Sequence, residues 1–62
     1  MKAFIKFAQN SLYYRNGVKQ EKHDDVEEVH YNYTESNRVT IECTDTGYTY
    51  NINDIAEIEI KE

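Results

Sequence analysis

Apolar and polar positions alternate four times between Val29 and Ile60: first at Val29, Tyr31 and Tyr33, then at Val39, Ile41 and Cys43. Tyr48, Tyr50 and Ile52 follow, and Ala56, Ile58 and Ile60 close the series. A side-chain period of two marks a strand with one face buried and one wet. Between the runs stand Glu35-Ser36-Asn37, Asp45-Thr46-Gly47 and Asn53-Asp54, all residues with turn chemistry. Connections this short join antiparallel neighbours, so the stretch predicts a four-stranded meander.

Lys2 to Ala8 predicts a further strand, with Ala3, Ile5 and Phe7 on one face and Phe4 on the other. A strand apolar on both faces is covered on both, either at the centre of a sheet or by a partner chain. Asn16-Gly17 between short runs predicts a type I′ hairpin with arms 11–15 and 18–22, the second arm polar and at an edge. Lys22 to Glu28 is too charged for a buried strand; a short helix over about 20–30 or a loop is the alternative, but the Tyr31-x-Tyr33 that follows favours strand. Near the end, the offset of Ile55 predicts one tight turn before the last strand, although Asp54-x-x-Glu57 also fits a helical capping box. The expected fold is all-β: a single domain over 1–62, an antiparallel meander of five to six strands forming a curled sheet or SH3-like barrel with at most one helical turn. Asn53-Asp54-Ile55 followed by Ile58 and Ile60 is similar to the close of SH3-like and Sm-like barrels, a likeness of about a dozen residues that defines no family.

Length changes this picture first. A chain of 62 residues buries only about 60% of its unfolded surface, so its stability is marginal. The single cysteine cannot form an internal disulfide, and homo-oligomerisation is the expected remedy. No run is apolar enough to span a membrane, and Lys2 is not followed by the core of a signal peptide. A cytoplasmic location is therefore expected, which suits a free thiol.

Charge changes it next. Residues 1–22 carry Lys2, Lys6, Arg15, Lys19 and Lys22 against Glu21, a net of +4, whereas residues 23–62 carry Arg38 and Lys61 against eleven acids, a net of −9. The total of −5 argues against a nucleic-acid partner, which calls for a basic face, and favours a protein partner with a basic surface. Asn, Ile, Lys and Tyr are abundant, Pro and Trp are absent and Leu12 is the only leucine. These are the residues of A/T-rich codons, a lean that points to a low-GC bacterium or its phage.

No motif names a reaction, and neither catalysis nor a cofactor is expected. Cys43 shares parity with Val39 and Ile41 and so faces the core, where a thiol acts as a small hydrophobe. His23, Asp24, Asp25 and His30 have metal-ligand types but no spacing that makes them converge, so no metal is expected and a solvated loop is the simpler reading. Glu27, Glu28, Glu57 and Glu59 could work as an acid–base pair only with a pocket that raises one pKa. Tyr31/Tyr33 and Tyr48/Tyr50 should flank the Val39–Cys43 strand, with Tyr13 and Tyr14 nearby. Either their rings pack inside with hydroxyls at the rim, or they form an exposed interface. On the opposite face Glu42, Glu57 and Glu59 join Glu27, Glu28, Glu35, Asp45 and Asp54 in an acidic surface that could imitate a phosphate track for a basic groove. The side chains expected to touch a partner are Glu42, Glu57, Glu59, Tyr31 and Tyr50. The predicted function is thus a small acidic protein-binding module, an inhibitor from a phage or mobile element that blocks a host or defence protein. A nucleic-acid-binding small barrel and a self-assembling structural subunit are the alternatives.

Overall fold

The computed structural model describes residues 1–32 and 37–62. Six strands form in the order β1 (Lys2–Phe7), β2 (Gln20–His23), β3 (Val26–Asn32), β4 (Arg38–Cys43), β5 (Gly47–Asn51) and β6 (Ile55–Lys61). One helical turn, α1 (Leu12–Arg15), lies between β1 and β2, and a 3-10 turn over Ile52–Asp54 precedes β6. The strands make two antiparallel three-stranded sheets, β2-β1-β6 and β3-β4-β5. The all-β expectation of five to six antiparallel strands holds.

Two corners carry the chain from sheet to sheet. Between β2 and β3 the backbone bends at Asp24-Asp25, with Asp25 in the left-handed region at φ 52°, a conformation aspartate tolerates better than most residues. The other corner is the 3-10 turn, where the Asn51 side chain accepts the N–H of Asn53 at 2.9 Å. It swings β6 away from β5 and onto β1, correcting the expected four-stranded meander to one of three strands. The tight turn inferred from the offset of Ile55 is this 3-10 turn.

Asn16-Gly17 does not close a hairpin. A type I′ turn needs positive φ at both residues, but Asn16 sits at φ −89° and caps α1 while only Gly17 is left-handed, at φ +91°. The residues are the ones a helix uses to stop. Ser11 starts that helix: its Oγ accepts the N–H of Tyr14 at 3.1 Å and donates to the carbonyl of Ala8 at 2.7 Å. It is buried while doing both. Ser11→Ala is expected to cost about 1 kcal/mol, read as a lower midpoint in thermal unfolding.

The core lies between the sheets. Ala3, Ile5 and Phe7 of β1 face Val26 of β3, Val39 and Ile41 of β4 and Tyr50 of β5, with Tyr13, Val29, Cys43, Ile52, Ile55 and Ile58 packed around them. Helix α1 exists to add one ring: Tyr13 stacks on Phe7 with centroids 4.2 Å apart and meets Tyr50 edge-on at 6.1 Å. On the other side of β1, the central strand of its sheet, Phe4 is flanked by Lys22 and Lys61, whose ammonium groups lie 5.8 and 5.5 Å from its centroid. Long lysine stems commonly cover apolar surface in this way.

Candidate functional site

Cross-strand partners share a face, and the register assigns every polar side chain to one. On β2, Glu21 pairs with Ile5 and His23 with Ala3, so both point inward with two fully buried residues. There they meet Tyr50. The Tyr50 hydroxyl lies 2.6 Å from His23 Nε2. Phenol and imidazole share one hydrogen bond, whose donor follows the imidazole tautomer. This bond ties the edge of one sheet to the edge of the other. Burial pushes the Tyr50 phenol well up, helped most by the nearby Glu21 charge.

The tyrosine face is thereby divided. Tyr31 and Tyr50 do flank Val39, and Tyr48 flanks Ile41; Tyr33 lies outside the described residues. Tyr50 is 5% exposed, with its hydroxyl inside as well, so it cannot serve a partner as expected. Tyr31 at 49% and Tyr48 at 41% stand at the rim, the latter stacked on His23 at 4.3 Å.

The acids are divided too. Glu57 and Glu59 lie on the outer face of β6, in the β1 sheet, whereas Glu42 lies on the outer face of β4, in the other sheet. They do not form the single array expected of them. Lys6 reaches Glu57 at 3.7 Å and Lys61 reaches Glu59 at 3.2 Å. With Phe4 and Gln20 these four line a shallow depression of about 150 Å³. All four are half exposed, so each pair contributes at most about 1 kcal/mol, but each glutamate is electrically matched.

Unmatched acids gather at one end. The Asp24-Asp25 bend and the β4–β5 turn are fastened together: Thr44 N–H donates to the Asp25 carbonyl at 3.2 Å, and Cys43 N–H donates to Thr46 at 2.8 Å. The Met1 ammonium adds a bond to the Val26 carbonyl at 3.3 Å. Asp24 is shared by Lys2 at 4.0 Å and Lys22 at 3.6 Å. Among the described residues no ion pair holds Asp25, Glu27 or Asp45. The effect is felt at Cys43, whose thiol is pushed up first by burial and then by Asp45, Asp25, Glu27 and Asp24. Such surroundings oppose the thiolate a nucleophile requires.

Next to this end, Glu28 and Glu42 stand directly opposite each other on β3 and β4. Like charges so placed repel, and His30 mediates, its Nε2 lying 2.8 Å from Glu28 and 3.5 Å from Glu42. The three donor atoms fall within 4.8 Å of one another and could hold a divalent ion. Each side chain is more than half exposed, so such an ion would keep much of its water. The set considered from sequence, His23, Asp24, Asp25 and His30, is not brought together: His23 faces the core while His30 lies on the outer face of the other sheet.

Sequence reasoning missed Glu21 and the inward aim of His23. Their two-residue spacing placed them on one face, but the expected arm stopped at residue 22. No protein-family model, curated protein or solved structure matches the chain. No helix among the described residues is long and apolar enough to cross a membrane.

Proposed function

We propose that the chain is a small acidic protein-binding module whose contact surface is this acidic end, meeting a basic patch on a protein partner. The carrying observation is the gathering of Asp25 and Asp45, on two turns held together by backbone bonds, with Glu27, Glu28 and Glu42 on the adjoining strands. On the outer face of β6, by contrast, Glu57 and Glu59 are matched by Lys6 and Lys61. Fixed charges on a firm support cost little ordering on binding, which favours fast, selective capture of a basic surface. Tyr48, exposed on β5 next to Gly47, supplies an aromatic anchor of the kind that concentrates binding energy. The module acts by occupying its partner rather than by chemistry. Its narrower form is an accessory protein of a phage or mobile element that blocks a host or defence protein, a reading supported by the A/T-codon lean and the acidic total.

The test is quantitative capture from bacterial lysate with the wild type and with two double variants, Glu27→Lys/Asp45→Lys and Glu28→Lys/Glu42→Lys. A defined protein retained at low salt should fall at least about tenfold in recovery, which is about 1.4 kcal/mol. Equal recovery by all three folded proteins would remove the electrostatic reading.

One observation favours a second reading. Phe4 lies between Lys22 and Lys61, with Lys2 and Lys6 on the same face, a pairing of ring and cations that single-stranded nucleic acid uses. It expects oligonucleotide binding that weakens steeply with salt and disappears in Lys22→Glu/Lys61→Glu.

A further inference from the structure

The strand β6 has seven residues and lies at the edge of its sheet, paired with β1 alone among the described strands. Its other side presents backbone donors and acceptors free to pair with another strand, as any edge does. The remaining edges are poorer templates. β2 has four residues with its inward side chains committed to Tyr50, β3 is interrupted by a bulge between Val26 and Glu28, and β5 has no charged residue to fix a register.

β6 also has uncovered apolar surface. Ile60 points inward beside Ala3 yet stays 40% exposed. On the outer face Lys61 stands directly opposite Lys2 of β1, a like-charge pair that a further carboxylate on the open side would relieve.

The charges of β6 choose among self-pairings. An antiparallel pair centred on Ile58 sets Glu57 against Glu59 twice. Centred on Glu59, it sets Glu57 against Lys61 twice but Glu59 against itself on the axis. Centred on Ile60, it sets Glu59 of each copy against Lys61 of the other and Ile60 against Ile60, with no like charges opposed. We propose that two copies of this chain pair through β6 about a two-fold axis at Ile60, extending β2-β1-β6 into a continuous six-stranded sheet. The contact is isologous and closes at two copies. It supplies the association that so small a domain needs and leaves the acidic end open. It goes beyond the partner-binding reading and can fail independently of it.

The experiment is light-scattering mass during size exclusion over a dilution series. The wild type should approach twice the 7.4 kDa of one chain. Lys61→Glu sets carboxylates against carboxylates across the axis, and Glu59→Lys sets amines against amines, so each alone should run as one chain. Lys61→Glu relieves the clash with Lys2 but also removes the Lys61–Glu59 pair and one lysine over Phe4, so circular dichroism verifies the fold of both variants and the mixture separates lost pairing from a weakened sheet. An equimolar mixture of the two variants should recover the doubled mass, because the opposing charges then match. A wild type of one chain at every concentration, a mass above two, variants that still pair, or a mixture that does not recover would each overturn the proposal. Charge reversal at Glu27 and Asp45 should leave the mass unchanged, which separates this result from the capture experiment.

Discussion

Ile5→Ala and Ile41→Ala are each expected to leave the protein largely unfolded at ordinary temperature. Both side chains are fully buried, one on the central strand of each sheet, and they belong to a core of seven buried apolar residues among those described. Truncating isoleucine in such a place removes transfer energy and leaves a cavity, a loss of about 2–5 kcal/mol. A domain of this length has in total about 3–9 kcal/mol, and each kilocalorie lost lowers the midpoint by about 4–8 °C. Leu12→Ala is the control. The chain's only leucine is 70% exposed on α1, so its removal should change stability by less than about 0.5 kcal/mol. Thermal unfolding by circular dichroism measures all three. Isoleucine variants that melt with the wild type would mean that the two sheets do not meet at these residues.

That core was legible because parity is a local property. Val39, Ile41 and Cys43, and Ala3, Ile5 and Phe7, share faces in any strand pairing, and the structure uses those faces as the spacing implies. What parity cannot say is which strand lies alongside which. The closing strand was assigned to β5 because the connection is short, but a 3-10 turn of three residues is enough to cross between sheets. That misassignment hid the lysines. With β6 beside β1, Glu57 faces Lys6 and lies in the same sheet as Lys2 and Lys61, so a run of alternate glutamates that resembled a free acidic track is matched in charge. The true concentration of acid came from residues that looked like loop: Asp24 and Asp25 at a bend, Asp45 at a turn. Their proximity is a product of tertiary structure alone. Asn16-Gly17 failed for a related reason. Its signal for positive φ was real at Gly17, but Ser11 offered a cap and Phe7 offered Tyr13 a stacking partner. Helix and hairpin use the same stop residues, and packing decided between them.

Tyr50→Phe is expected to cost about 1–3 kcal/mol at neutral pH, because it leaves the buried His23 imidazole without the hydroxyl it bonds. The same substitution should change the alkaline behaviour in the opposite sense. In the unfolded chain this phenol ionises near its ordinary value of 10.0, whereas in the folded protein burial and Glu21 hold the proton on to much higher pH. The folded state therefore binds the proton more tightly. The stability this contributes is complete below pH 10 and declines as pH rises from there toward the raised folded value, by about 1.4 kcal/mol per unit. Urea midpoints across this range should fall more steeply for the wild type than for Tyr50→Phe, with every other titrating group common to both. Identical slopes would mean that Tyr50 ionises as freely folded as unfolded. With its proton held in the folded state, the wild type starts ahead and loses its lead, so the two proteins should become equally stable about one to two units above pH 10.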